Sequence, residues 1–213
     1  MHPKSLSAAQ RGGFTVSKIK PFFTRIAELI VTHSIIAELF LNLDESMLDL
    51  GNMKEDKVLI PKEAVTGYCS DHSLTVSKHI TLVGICAAKG EPCKPAMIMP
   101  NKFLPENLHD TLSRCYYTYS ASGWITIEVW KHLVKNWLIP LINERRARMK
   151  MPDAHVLLLA DAHDSRFDSA CCELLAANNI HLVIIPPSCT SIMQPLDQDI
   201  FRELKRYMRK WLS

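Results

Sequence analysis

At 213 residues, with 47% hydrophobic and 22% charged side chains, the chain has the size and composition of one globular domain with a buried core. That excludes a disordered or fibrous class. A net charge of +3 is too small to argue for nucleic acid by itself, but the positive residues concentrate near the C-terminus, where their placement carries more weight than their sum.

Two further classes fall away. There is no apolar run of the length a membrane span needs, and the N-terminus lacks the charged-then-apolar layout of a signal peptide. Seven cysteines, scattered without a CxxC pair, read as reduced thiols in a cytosolic or nuclear protein rather than a disulfide frame or zinc site.

Residues Met1 to Thr15 are polar and aperiodic, a lead-in rather than a domain. Ser17 to His33 is predicted as a helix, with Phe22, Ile26, Leu29, Ile30 and His33 at helical spacing and Pro21 tolerated in the first turn. Leu39 to Leu43 reads as a buried strand closing on Asp44, Glu45 and Ser46. Taken alone, Asp44 is a turn or capping residue. Asp49 to Ser73 is loop-like, broken by Gly51, Pro61 and Gly67.

Ile80 to Ala88 and Ala96 to Met99 are β-prone runs joined by the turn signal KGEP, a predicted hairpin. Tyr116, Tyr117 and Tyr119 precede Gly123, and strand packing accounts for them better than base stacking. Thr126 to Met149 is a long helix with Val129, Leu133, Trp137 and Leu141 on one face, which Pro140 should kink or divide. Its end carries Arg145, Arg146, Arg148 and Lys150, a solvated, dipole-favoured terminus with phosphate contact as the secondary reading.

The last third is the most informative. An apolar run, Val156 to Leu159, ends in Asp161, His163 and Asp164. A helix from Asp168 to Asn178, a second run from His181 to Ile185, a Pro-rich loop and a basic helix follow. On that helix Arg202, Lys205, Arg206, Arg209 and Lys210 project to one face. Ile200, Phe201, Leu204, Met208, Trp211 and Leu212 project to the other, with Asp197 on this inward side. A basic stripe is ordinarily a solvated face; beside a carboxylate site it becomes a candidate phosphate track.

Three antiparallel strands followed by parallel strands with crossover helices give an α/β fold, an RNase H-like mixed sheet with flanking helices. There the first and fourth strands are neighbours, which brings Asp44 beside Asp161, and Asp197 enters on the final helix. Clustered carboxylates suit Mg²⁺, which takes oxygen ligands and keeps several waters.

The residues that carry these features resemble a known family. NLDES (Asn42 to Ser46), YSASGWIT (Tyr119 to Thr126), LLLADAHDSR (Leu157 to Arg166) and, most specifically, the long block from Asn178 to Lys205 are similar to motifs of the DDE endonuclease domain of pogo/Tigger-type transposases, in the mariner superfamily. The resemblance implies metal-dependent cleavage and strand transfer on DNA, with Asp44, Asp161 and Asp197 as catalytic and metal-ligating carboxylates. It also implies two Mg²⁺ ions, replaceable by Mn²⁺, DNA as partner, a homodimer in a full-length transposase, and a nuclear location. Glu45 and His163 flank the triad; His163 either positions the nucleophile or a phosphate, or simply closes the strand end.

The chain departs from the family pattern at Ala162 and at Arg166, where the family has a histidine. Residues 1–16 look like the linker after a helix-turn-helix region that lies outside this chain, and 17–213 like a catalytic domain that stops soon after its third carboxylate. The alternative is a domesticated or decayed nucleic-acid-binding protein without catalysis.

Overall fold

The computed structural model describes residues 15–49, 79–100 and 115–211; the Asp49–Ser73 loop and the polar lead-in fall outside these, apart from Asp49 and Thr15. Helix α1 (Val16–His33) turns its buried Phe22, Ile26 and Leu29 inward. Strand β1 (Phe40–Asp49) follows, then β2 (His79–Ala87), β3 (Ala96–Pro100) and β4 (Tyr116–Ser120). Helices α2 (Ile127–Leu133) and α3 (Ile139–Arg148) lead to β5 (Val156–Ala160), α4 (Ser169–Ala177) and β6 (Ile180–Ile184). The short α5 (Thr190–Met193) and the terminal α6 (Phe201–Trp211) complete the order. Among the described residues no helix is long and apolar enough to cross a membrane.

The six strands form one mixed sheet in the order β4-β3-β2-β1-β5-β6. The β1-β2 and β2-β3 pairs are antiparallel; β1-β5, β5-β6 and β3-β4 are parallel. The expected layout is present, with an additional edge strand built from the tyrosine segment. Every residue of β5 is buried, as the apolar run Val156–Leu159 requires of a parallel strand covered on both faces.

Side-chain alternation assigns the two faces of β1 and β2. Leu41, Leu43, Val83 and Ile85 join the main core with α1, α2, α3 and α4, whereas Leu48, Ile80 and Leu82 pack with Leu196 and Phe201. Asn42, Asp44 and Ser46 therefore share a face with Leu48, the face on which the terminal helix docks.

Of three sequence expectations, the second below holds and the other two change. First, β1 does not close at Asp44 but continues to Asp49, because β2 pairs with it along its length, from Leu41 opposite Ala87 to Asp49 opposite His79. Second, the long helix divides as Pro140 demands, through a widened π-turn at Val134–Leu138. A proline lacks the N–H for the carbonyl four residues back, and its ring crowds that carbonyl; the wider turn relieves both.

Third, Arg145 and Arg146 are not on a solvated terminus. Both are buried, and their planar forks bind main-chain carbonyls. Arg145 donates to Glu38 O at 2.7 Å, Lys89 O at 2.8 Å and Glu91 O at 3.1 Å. Arg146 donates to Ala154 O at 2.9 Å and Asn178 O at 2.8 Å. Charge periodicity cannot distinguish this use from solvation, since only the tertiary fold supplies the carbonyls. Arg148 does stay exposed, on Glu91.

Arg145→Leu should therefore destabilise the fold by about 2 kcal/mol, the order expected when carbonyls lose their donor. Arg145→Lys should recover little of it, because one ammonium cannot span three carbonyls. Urea denaturation of the three proteins checks this.

Candidate metal centre

Asp44 lies mid-strand, opposite Gly84 of β2. Gly84 presents no side chain, and the ring of Phe201 occupies the space: a Cβ built there would come within 2.8 Å of it. Phe201 thus seals the sheet beside Asp44, and the carboxylate is only 5% exposed. Its Oδ1 accepts the N–H of Glu45 at 2.8 Å, while Oδ2 is buried with no hydrogen-bond partner. Burial, then the charges of Asp197 and Glu45, push its carboxyl up to about 7 despite the Glu45 N–H.

Asp161 follows β5, two residues beyond Leu159, which pairs with Asn42. The parallel pairing of β1 with β5 brings Asp161 against Asp44, and its Oδ1 is also buried without a hydrogen-bond partner. Asp44, Glu45 and Asp161 each offer an oxygen, and the three oxygens lie within 4.8 Å of one another. Such hard oxygen donors, with Asp44 and Asp161 each carrying a buried oxygen that accepts no hydrogen bond, fit a divalent cation such as Mg²⁺.

Glu45 is held by Arg166, whose guanidinium is completely buried. It lies 3.9 Å from the centre of the Trp130 ring, and its Nε is 4.0 Å from Asp161 Oδ1. The sequence marks Arg166 only as a departure from the family; that it stacks on Trp130 and grips Glu45 has no signal in the spacing. His163, exposed two residues after Asp161, has its Nδ1 2.9 Å from Ser165 Oγ, which steadies the ring and leaves Nε2 as its other nitrogen.

Asp197 sits in a second π-turn, Leu196–Ile200, ahead of α6. The wider turn shifts the helical phase, so Asp197 is exposed rather than inward and Ile200 is half exposed, while Leu196 and Phe201 are buried. Asp197 is outside the 4.8 Å set, yet it acts on Asp44 through space. Burial raises its own carboxyl, Lys205 opposes that, and Asp161 adds to it.

Two residues not singled out by sequence reasoning connect these parts. The buried amides of Asn42 and Gln194 meet at 3.2 Å. Asn42 donates to Leu159 O and accepts from Leu196 N, and Gln194 donates to Leu43 O, each at 3.1 Å. Both lie within quoted motifs, NLDES and the long C-terminal block, which was the available signal.

On the basic face Arg202, Lys205, Arg206 and Lys210 are exposed; Arg202 pairs with Asp199 and Arg206 with Glu203. The side chain of Arg209 falls outside the described residues.

Residues 77–213 match the model of the DDE superfamily endonuclease family. The match includes Asp161 and Asp197 and begins after Asp44 and Glu45. Among solved structures, the fold is similar to a pre-cleavage Mos1 transpososome (TM-score 0.55, 13% identity), covering all of this chain and 57% of that one. It is likewise similar to the Mos1 transposase catalytic domain with raltegravir and Mn (TM-score 0.53, 11% identity), covering 99% of this chain and 84% of that one. The RNase H-like mixed sheet expected from the sequence is thus the observed fold. A curated protein of Cochliobolus lunatus, the MFS-type transporter clz9, is 33% identical over 91 residues, which are 41% of this chain and 9% of that protein.

Two outcomes follow from the cluster's electrostatics. A carboxyl raised above its unfolded value destabilises the fold increasingly as pH rises from about 4 to about 7. Asp44→Asn should therefore raise the Tm of the metal-free protein at pH 8, by a few kcal/mol in stability, with the gain fading towards pH 4. Arg166→Met, which strands Glu45 without its cation, should lower stability by about 3–5 kcal/mol. Thermal unfolding across pH measures both.

Proposed function

Because the chain belongs to the DDE superfamily endonuclease family, we propose that it is the catalytic core of a transposase-derived nuclease that cleaves and transfers DNA strands. Asp44 and Asp161 would hold Mg²⁺ or Mn²⁺, with Asp197 completing the set from the terminal helix. The observation that carries this reading is the pair of buried, unpartnered oxygens, Asp44 Oδ2 and Asp161 Oδ1, in one cluster. The Mn and Mg named in the Mos1 catalytic-domain structures, and the transpososome among the neighbours, support the same choice of ion and polymer. We infer two ions and a homodimer in a full-length protein by likeness to these neighbours, and a nuclear site of action only from the DNA substrate that this reading assigns.

When bound, a pair of such ions lowers the pKa of the attacking water or 3′-hydroxyl and stabilises the leaving oxygen of an in-line displacement. The chain's own residues do the rest. Arg166 fixes Glu45 and so keeps that carboxylate from swinging across the site. Phe201 on Gly84 excludes water from the Asp44 side. His163, steadied through Nδ1 by Ser165, can meet a phosphate oxygen or the nucleophile with Nε2. The exposed Arg202, Lys205, Arg206 and Lys210 supply a backbone track indifferent to base sequence.

The second reading, nucleic-acid binding without catalysis, is favoured by one observation: Asp197 stands outside the 4.8 Å set. Nicking of supercoiled plasmid separates the two. The nuclease reading expects Mg²⁺- or Mn²⁺-dependent nicks that disappear in Asp161→Asn; nicks that survive that substitution, or no nicks at all, would overturn it. Both readings expect binding to fall steeply with salt, and the slope of log K against log[salt] to become shallower by about 1 for each phosphate-contacting Arg or Lys removed.

A further inference from the structure

At the opposite end of β5 from Asp161 stand three histidines that the proposed chemistry does not use. His33 ends α1, His155 precedes β5, and His181 is the second residue of β6. One ring nitrogen from each lies within 4.8 Å of the other two. His155 Nδ1 is 2.8 Å from His181 Nε2, and the His33 ring stacks on both, with centroids 4.1 and 4.4 Å away. Six residues of extended chain, roughly 20 Å, separate this group from the carboxylates.

We propose that His33, His155 and His181 form a binding site for a transition-metal dication of the Zn²⁺ class, distinct from the carboxylate centre. Zn²⁺ takes imidazole nitrogens at about 2.0–2.1 Å in a tetrahedron, which sets its ligand nitrogens roughly 3.3 Å apart. The observed separations, from 2.8 Å to the 4.8 Å limit, bracket that value. Binding would exchange the ring stacking and the His155–His181 hydrogen bond for ligation by turning the side chains. Three protein ligands leave the fourth position for water. The chemistry also separates the two sites: imidazole binds Zn²⁺, Ni²⁺ or Cu²⁺ but scarcely Mg²⁺, which takes oxygen ligands, so Mg²⁺ distinguishes the carboxylates from the histidines.

The surroundings favour the ligating form of His155 and His181. Partial burial lowers the pKa of both His155 and His181, His33 adds to this in each case, and Arg146 acts on His155 and Arg25 on His181. An imidazolium is thereby disfavoured, and neutral imidazole is the metal ligand. The three backbones are anchored independently, in a helix end and at two adjacent parallel strands, so the ligands are brought together before any ion arrives. An ion there would tie α1 to the sheet.

The test uses the whole chain, titrated with Zn²⁺ alone and, for the ligand set, with Co²⁺ followed by visible absorption. The expected result is a Zn²⁺ site that excess Mg²⁺ does not compete for, with a raised Tm and a tetrahedral Co²⁺ spectrum. Asp161→Asn should bind Zn²⁺ as the unsubstituted chain does. His33→Phe keeps the stacked ring but removes a ligand, and should weaken Zn²⁺ at least about tenfold, as should His155→Phe. The proposal is overturned if the unsubstituted chain shows neither the Tm rise nor the Co²⁺ spectrum. It is equally overturned if His33→Phe binds Zn²⁺ unchanged, or if Asp161→Asn abolishes binding. Because the Zn²⁺ readouts need no DNA cleavage, a failure here is distinguishable from failure of the nuclease reading.

Discussion

A carboxylate in the middle of a paired β-strand has no loop through which to reach water, and this is the situation of Asp44. Its main chain is locked into the ladder with β2 and its side chain points to the face that the terminal helix covers. One oxygen is answered by the next N–H and the other by nothing. An ionised group so placed is expensive unless a proton or a cation joins it. Neighbouring features follow from that requirement: a glycine opposite, an aromatic lid seated on it, and a second acid brought in by the adjoining parallel strand.

The position of the terminal helix is decided by a few polar contacts rather than by apolar area alone. Asn42 reads both edges of the gap, donating to β5 and accepting from the N–H of Leu196, and Gln194 returns a bond to Leu43 O. Buried amides must be satisfied in full, so they tolerate one docking geometry and few others. Asp197 is the residue after Leu196, which makes its distance from Asp44 a consequence of this amide network. Arg145 and Arg146 do comparable work elsewhere, each fastening loop carbonyls to α3.

How much of this was legible beforehand depends on the range of the interaction involved. Apolar runs identified β2, β3, β5 and β6 to within a residue or so, because periodicity and burial are local signals. Pro140 located the break in the long helix for the same reason. The end of β1 was not legible: Asp44, Glu45 and Ser46 look like a terminus, and only the β2 ladder extends the strand through them. The inward placement of Asp197 failed because a uniform 100° per residue was assumed, whereas the π-turn at Leu196–Ile200 resets the phase. Glu45 entered the sequence reading as a flanking residue, yet its oxygen lies among those of Asp44 and Asp161. Nothing local marks Arg166 as buried, since an arginine in a polar motif is ordinarily exposed.

Arg166 then determines what the cluster is able to accept. Three ionised carboxylates within 4.8 Å carry three negative charges, and the guanidinium, which never loses its proton in a protein, neutralises one of them through Glu45. A histidine at that position, as the family resemblance implies, would carry a positive charge only while protonated, whereas the arginine keeps its charge at every pH. With the arginine in place the excess is two charges, spread over Asp44 and Asp161, each of which has a buried oxygen that accepts no hydrogen bond. Divalent cations offset that excess. Without a bound cation, burial and the charges of Asp197 and Glu45 favour a proton on Asp44, whose carboxyl is pushed up to about 7. Proton and metal ion thus compete for one oxygen, and cation affinity at the site must rise with pH across the same range in which the metal-free fold loses stability.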